Sequence, residues 1–237
     1  GAPVDEKDED GRTALLLASR KGHTEVVKLL LDKGAPVDEK DEDGDTALMR
    51  ASYGGHTEVV KLLLDFENSS SARRTRVVNK TNHVGKSALL LASTAGHSAV
   101  VEALLECGAD TEVGRICSNP LIRGGTALVG AAAAGHAEVV RLLMAHGANV
   151  RATGGKDERT ALHTASLYGH AASVAELLDR SDGAAVLETA LTSGALRGET
   201  PLIACASLAA SSGEPDVVAK LLIDAKADVC ATRKSST

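Results

Sequence analysis

Histidine is the residue whose type and spacing first suggest chemistry in this sequence. Five of the eight histidines follow a glycine, at intervals of 33 to 41 residues: His23, His56, His97, His136 and His170. Imidazoles bind zinc when several converge on one ion at metal–ligand distances of up to about 2.3 Å. Helical layers pack about 10 Å apart, which holds successive rings too far from one another. We therefore predict no metal site, and a structural role for each of these histidines at the start of a helix.

Local catalytic motifs are missing from the chain. It contains no G-x-S-x-G nucleophile turn, no H-E-x-x-H zinc motif and no glycine-rich phosphate loop. A triad assembled from distant residues would leave no such local motif, so this observation concerns local motifs alone. We predict that the chain is not an enzyme and that it takes no cofactor.

Two identical acidic runs, DEKDEDG at 5–11 and 38–44, are candidates for recognition. They are either solvated turns or an acidic strip for a basic partner, since complementary charge steers and orients association. The strip would consist of Glu9, Asp10, Glu42 and Asp43. A basic run with no acid follows between positions 68 and 101: Arg73, Arg74, Arg76, Lys80 and Lys86. This run is either a flexible insertion or a basic finger, which would orient a partner or pair within the molecule.

Charge and cysteine usage narrow the function classes further. The formal net charge is −6, and residues 1–45 hold 13 acids and 7 bases. Phosphate-backbone binding needs a broad basic face, so we predict no nucleic-acid partner. The four cysteines lack paired C-x-x-C spacing, which favours a reducing, intracellular setting in the cytoplasm or the nucleus. No apolar run approaches the ~20 residues that span a bilayer, so we predict no membrane contact.

The candidate residues are positioned by an internal repeat, because residues 1–33 and 34–66 are identical at 27 of 33 positions. Weaker copies begin at Lys86, Gly125, Arg159 and Glu199. In each copy a polar residue starts a short Ala/Leu helix that a glycine ends, and a second helix rich in Val and Leu follows. Two such helices cannot bury that much apolar surface alone, so the pairs must stack. Only 1% of the residues are aromatic, which predicts thin layers of Leu, Val and Ala.

The T-x-L-x-x-A motif, the G-H-x-E-V-V-x-L-L-L motif and the 33-residue period resemble the ankyrin repeat over nearly the whole chain. The chain departs from the family's T-P-L-H motif, whose Pro occurs only as Pro201 and whose His occurs only as His163. The resemblance implies an all-α solenoid of about six stacked helix-turn-helix repeats with finger loops. Residues 1–237 would form one domain, with repeats near 8–40, 41–80, 82–120, 121–154, 155–194 and 195–231.

Extra residues lengthen the connections near 68–80, 114–123 and 181–196, and the turn near 209–212. We expect the connections at 68–80 and 181–196 to be the least ordered. The first copy repeats the interior pattern at Val26, Leu29 and Leu30, although terminal repeats need a polar cap. We therefore expect an unusually apolar N-terminal face, covered by an upstream repeat or a neighbouring molecule. Gly1 begins in mid-repeat, which also suggests upstream sequence.

Contact residues are predicted from the differences between the first two copies. Several differences, among them Arg12/Asp45, Arg20/Tyr53 and Lys21/Gly54, match positions that vary in the ankyrin family and contact partners, although neutral drift of surface positions would look similar. Tyr53 and Tyr168 are expected on the concave surface as interface anchors. The predicted partner-binding residues are Glu9, Asp10, Arg12, Arg20, Lys21, Glu42, Asp43, Asp45, Arg50, Tyr53, Lys86, Leu167 and Tyr168.

Two functional interpretations remain open from the sequence. The first is a protein-interaction scaffold that binds a macromolecular partner, basic at the N-terminal repeats, through fingers and inner helices. The second is a regulatory or targeting segment of a larger enzyme or channel chain. Both use the same surface, so the sequence does not separate them.

Overall fold

The computed structural model describes residues 3–66, 71–114, 125–154, 159–179, 200–207 and 214–225. Within these ranges the chain forms thirteen α-helices: α1 Ala14–Lys21, α2 Thr24–Asp32, α3 Ala47–Gly54, α4 Thr57–Phe66, α5 Ser71–Val78, α6 Ala88–Ala95, α7 Ser98–Glu106, α8 Ala127–Ala134, α9 Ala137–Ala145, α10 Ala161–Leu167, α11 Ala171–Leu178, α12 Pro201–Ser207 and α13 Pro215–Asp224. Two-residue strands β1 (Thr153–Gly154) and β2 (Arg159–Thr160) pair antiparallel. Among the described residues there are six helix pairs and no sheet core, as the repeat predicts.

Each inner helix, which is the first helix of a pair, begins at a hydroxyl residue, and α1, α3, α6 and α8 end at a left-handed glycine. The Thr46 hydroxyl accepts from the Met49 N–H at 3.4 Å, and Ser87 accepts likewise from Leu90 at 3.2 Å. Such a cap satisfies one of the N–H groups that the first turn leaves without an intrahelical partner. At the other end of α3, Gly55 adopts φ +74°, a backbone conformation that other residues enter at a steric cost. The short length of these helices therefore follows directly from the local sequence.

The pairs stack into two parallel rows of helices. The inner row is α1, α3, α6, α8, α10 and α12, the outer row is α2, α4, α7, α9, α11 and α13, and each helix contacts the next in its row. The interior consists largely of Leu, Val and Ala, as the composition predicts, with Leu104, Leu143 and Leu177 fully buried. The three aromatic rings lie outside it: Tyr53 is 62% exposed, Phe66 50% and Tyr168 47%. Thin aliphatic layers thus replace a single large core.

The repeated histidines join consecutive layers. The His56 Nε2 atom lies 3.1 Å from the carbonyl oxygen of Arg20 in the preceding repeat, and His97 Nε2 lies 3.0 Å from that of Tyr53. His170 makes the same contact with Ala133 at 3.0 Å. Each of these three rings therefore binds a carbonyl at the end of the previous inner helix, which confirms the predicted structural role for His56, His97 and His170.

Part of the long connection after α4 is helical. Ser71–Val78 form helix α5, whose last residue Val78 is 1% exposed and packs into the interior. Residues 68–70 lie outside the described residues, and the low order of this connection stays a prediction. Most of 114–123 and all of 181–196 and 209–212 lie outside the described residues. No helix in the described ranges is long and apolar enough to cross a membrane.

The glycine before each histidine gives a direct test of layer stacking. A Cβ atom on Gly55 would lie 2.6 Å from His97 Cε1, whereas a Cβ on Gly147 would meet nothing within 4 Å, although both glycines have positive φ. We expect Gly147→Ala to lower the free energy of unfolding by about 1–2 kcal/mol through backbone strain alone. Gly55→Ala should cost more, because the methyl group also displaces the His97 ring. Urea unfolding measures both.

The same pair in a His97→Ala background is the control. There the two Gly→Ala changes should cost nearly the same, since the opposing ring is gone. If Gly55→Ala and Gly147→Ala lowered the free energy of unfolding equally in the native background, the ring contact would not restrict layer spacing.

Candidate partner-binding groove

Finger loops project from the inner helices, and a side chain at one repeated position shapes each of the first three. Asp41 Oδ1 accepts from the N–H groups of Asp43 and Asp45, at 3.1 and 2.9 Å. Asp8 and Asn82 accept in the same way from the residues two and four positions later, at 2.8 to 3.2 Å. The side chains of Asp8, Asp41 and Asn82 therefore stabilise the turns of their fingers, as Asp and Asn side chains commonly do.

Adjacent fingers are tied together by hydrogen bonds. The Glu42 N–H donates to the Asp10 carbonyl at 3.3 Å, which joins the first finger to the second. The His83 N–H donates to the Asp43 carbonyl at 3.1 Å, and His83 Nδ1 lies 3.1 Å from the Glu42 carbonyl oxygen. The first three fingers thus form one continuous layer beside the inner helices.

A groove of about 390 Å³ lies between the second and third fingers and the inner helices α3 and α6. Its lining residues are Glu42, Asp43, Asp45, Arg50, Tyr53, Asn82, His83, Val84, Lys86 and Leu91. They supply charge, hydrogen-bonding groups and one exposed aromatic ring, all of which can contact a partner.

Arg50 dominates the electrostatics of this groove. Its Nη2 atom lies 2.6 Å from Asp41 Oδ2 and 2.8 Å from Asp43 Oδ2, and its Nη1 atom lies 3.3 Å from Asp45 Oδ2. Burial opposes the charge on Arg50, yet its hydrogen bonds to Asp41 and Asp43 raise its pKa. The guanidinium is therefore a fixed positive centre that holds the second finger against α3.

Burial raises the pKa of the Asp45 carboxyl group, the third carboxylate of this network. The Asn82 amide, which donates to Asp45 Oδ1 at 2.8 Å, and the Arg50 charge oppose this rise. Carboxylate oxygens of Asp41, Asp43 and Asp45 lie within 4.8 Å of one another, so a cation could be held there. Arg50 pairs with all three groups, so its ion pairs explain the cluster, and its single charge offsets one of the three carboxylates.

The structure brings together six of the predicted contact residues: Glu42, Asp43, Asp45, Arg50, Tyr53 and Lys86. The other seven lie elsewhere. Glu9, Asp10 and Arg12 are on the first finger, Arg20 and Lys21 end α1, and Leu167 and Tyr168 belong to the fifth pair. Leu167 is only 8% exposed, so its side chain offers little surface to a partner.

The acidic strip is partly neutralised within the molecule. Asp10 Oδ2 lies 2.5 Å from Arg12 Nη2, just as Asp43 pairs with Arg50. Glu9 and Glu42 are exposed and form no ion pair with any described residue. The free negative charge of the two fingers is therefore smaller than the sequence suggests.

The basic run also pairs internally where the structure describes it. Lys80 Nζ lies 2.5 Å from Asp38 Oδ1, across the boundary between the second and third repeats. Lys86 is exposed at the groove and has no ion pair in the described part of the chain. The interpretation in which this run pairs within the molecule therefore holds for Lys80, and Lys86 remains available to a partner.

Four groove residues were missed from the sequence: Asn82, His83, Val84 and Leu91. A signal for them exists, because the second and third copies are offset by 41 residues. That offset aligns Asn82 with Asp41, His83 with Glu42 and Leu91 with Arg50. Transferring the contact positions by this offset would have found the third finger.

The carboxyl groups of Asp45 and Asp8 should respond oppositely to pH. Burial raises the pKa of Asp45, so its charge lowers stability above that raised pKa, and this penalty vanishes below the ordinary Asp value of 3.8. Asp45→Asn should therefore gain stability relative to the native protein at pH 7 and lose that gain near pH 3. Thermal unfolding across this pH range measures the difference.

Asp8→Asn is the matched variant. The Arg12 N–H lowers the pKa of Asp8, burial opposes this, and the Arg12 side chain, 2.9 Å away at Nε, lowers it further. Its stabilising effect is present above the ordinary pKa and is lost as pH falls through the lowered one. Asparagine keeps the turn, as Asn82 does, so Asp8→Asn should cost stability at pH 7 and less in acid. The same pH trend in both variants would contradict these assignments.

Comparison with known proteins agrees with this architecture. A family model described as "Ankyrin repeats (3 copies)" matches residues 1–76, 34–115 and 89–190, and a single ankyrin-repeat model matches residues 197–234. No curated protein sequence matches the chain significantly. The crystal structure of the human ASB11 ankyrin repeat domain is similar, with a TM-score of 0.73 and 26% identity over 94% of this chain and 88% of that one. The chain belongs to the ankyrin-repeat family.

Proposed function

We propose that this chain is a scaffold that binds a protein partner through the groove between its second and third fingers. Ankyrin repeats generally mediate protein–protein interaction, and their fold is typically a non-catalytic scaffold. The free thiols of Cys107 and Cys205 support an intracellular, cytoplasmic setting for this binding.

The observation that carries the proposal is the position of Tyr53. Its ring is 62% exposed at the end of α3 and lines the groove beside the ion-paired Arg50. A tyrosine offers a large contact area and a hydroxyl with little loss of side-chain entropy, which is why such residues anchor interfaces. Because Arg50 is held by three carboxylates, the wall next to this ring is already ordered before a partner arrives.

The charges around the groove indicate what the partner should carry. Glu9 and Glu42 supply free negative charge on the first two fingers, and Lys86 supplies free positive charge on the third. A partner segment with a basic group toward the second finger and an acidic group toward the third would match both. Complementary charge of this kind orients a partner and speeds its association.

Tyr53→Ala tests the groove. If the ring is a binding hot spot, the change should weaken partner binding by about 2 kcal/mol and leave the unfolding temperature nearly unchanged, because the ring is largely exposed. Phe66→Ala is the matched control, since Phe66 is 50% exposed at the end of the outer helix α4 and does not line the groove. The native chain and both variants serve as parallel baits for mass spectrometry. A partner is a protein that both the native chain and Phe66→Ala retain, and the prediction is that Tyr53→Ala loses it.

Titration of that protein then gives the three affinities. A Tyr53→Ala chain that unfolds earlier but binds normally would show that the ring packs rather than binds, and the groove would no longer be the binding site.

Reversing the charge of Glu42 tests whether this residue attracts the partner electrostatically. Glu42→Lys should weaken the same partner and flatten the dependence of its association rate on salt, because it removes attraction at the groove. Glu25→Lys, on the exposed side of α2, changes the net charge equally without touching the groove. Stopped-flow association at several salt concentrations separates the two. An equal effect from both variants would assign the attraction to net charge and not to Glu42.

A further inference from the structure

The first helix pair exposes a face that the next three pairs bury. Val26 on α2 is 46% exposed, whereas its counterparts Val59, Val100 and Val139 are at most 1% exposed. Leu29 on the same face is 58% exposed, and Leu17 on α1 is 38% exposed. Val217, at this position of the sixth pair, is again exposed, but it borders segments outside the described residues, so the comparison is confined to the first four pairs.

The contrast is informative because the two outer helices have the same sequence. Both α2 and α4 contain TEVVKLLLD, so composition and helix geometry are shared and only the neighbouring layer differs. Helix α4 is covered on this face by α2, and nothing in the described residues covers α2 in the same way. The apolar residues on α2 therefore have the composition of an interior stacking surface.

Polar groups on this face match those that join the later layers. The His56, His97 and His170 rings bind a carbonyl of the preceding repeat, but the His23 ring makes no hydrogen bond to a described residue. The Glu42 N–H donates to the first finger, but the equivalent N–H of Glu9 has no acceptor in the described chain. Two donor positions are thus aligned with the apolar patch, at the places where a preceding layer supplies acceptors.

We propose that this face, formed by α1, α2 and the first finger, is a stacking surface for a further ankyrin-type helix pair. The occupant would present Val and Leu to Val26 and Leu29, an inner-helix carbonyl to His23 and a finger carbonyl to the Glu9 N–H. This is the set of groups that α1, α2 and the first finger present to the second repeat, so the proposal continues an interface that the chain already makes. It concerns a different surface from the groove and does not depend on the proposed function.

A fusion supplies this occupant, because a single helix pair does not fold alone. A second copy of residues 1–33 is placed before Gly1, which repeats the junction between Lys33 and Gly34. On heating, the extended chain should unfold in one transition, with an unfolding temperature about 5 °C or more above that of the original chain.

Val26→Glu together with Leu29→Glu on the original face is the matched control. The double variant should leave the unextended chain almost unchanged, because both side chains are exposed there, and should abolish the gain in the extended chain. Val59→Glu, at the buried counterpart, should destabilise both chains.

Three results would overturn the proposal: an extension that unfolds separately, a gain that survives the double variant, or self-association through this face. The last would appear in sedimentation as a concentration-dependent oligomer of the unextended chain that the double variant abolishes. The face would then be an interface between copies of this chain.

Discussion

Close contact between a left-handed glycine and the histidine of the next repeat governs the spacing of the layers. A Cβ atom on Gly22, Gly55 or Gly96 would lie within 2.6 Å of the next repeat's ring. The absence of that atom lets the ring approach and bind a carbonyl at the end of the preceding inner helix. Short helix pairs cannot bury their Val and Leu side chains alone, so stacking depends on this approach at the four junctions between the first five pairs.

Layer spacing in turn determines what the fingers can do. Because consecutive inner helices are held side by side, the fingers that follow one another come within hydrogen-bonding distance at Glu42 and His83. The groove is the space left between the second and third of these fingers and the two helices behind them. Hydrogen bonds between the fingers and the ion pairs of Arg50 hold its walls, and its outer edge keeps Tyr53 and Lys86 exposed.

The first two repeats are nearly identical, yet corresponding residues differ in burial and in ion pairing. Val26 and Val59 lie in identical helices, yet one is nearly half exposed and the other is buried. Arg50 replaces the Leu17 of the first copy, and with it the second finger gains three ion pairs that the first finger lacks. The two copies therefore share a scaffold and differ in electrostatics, and the groove beside the second copy is lined by Arg50.

Sequence alone was sufficient for the six helix pairs, their order and the aliphatic character of the core. The signals are local: a hydroxyl residue before each inner helix, a glycine after it and a repeat that returns at 33 to 41 residues. It also indicated six of the ten groove residues, since those positions differ between the duplicated copies or belong to the charged fingers. Helix α5 was missed because its charged, weakly apolar sequence carries no repeat signal.

Only the tertiary structure decided which charges are free and which surfaces are covered. Asp10 and Asp43 look equivalent to Glu9 and Glu42 in the acidic runs, but the first two reach an arginine and the others do not. Leu167 was predicted at a contact surface and is buried. The physical reason is that ion pairing and burial depend on atoms from other repeats, brought within a few ångströms by stacking, whereas a repeat motif specifies only the fold of its own two helices and turn.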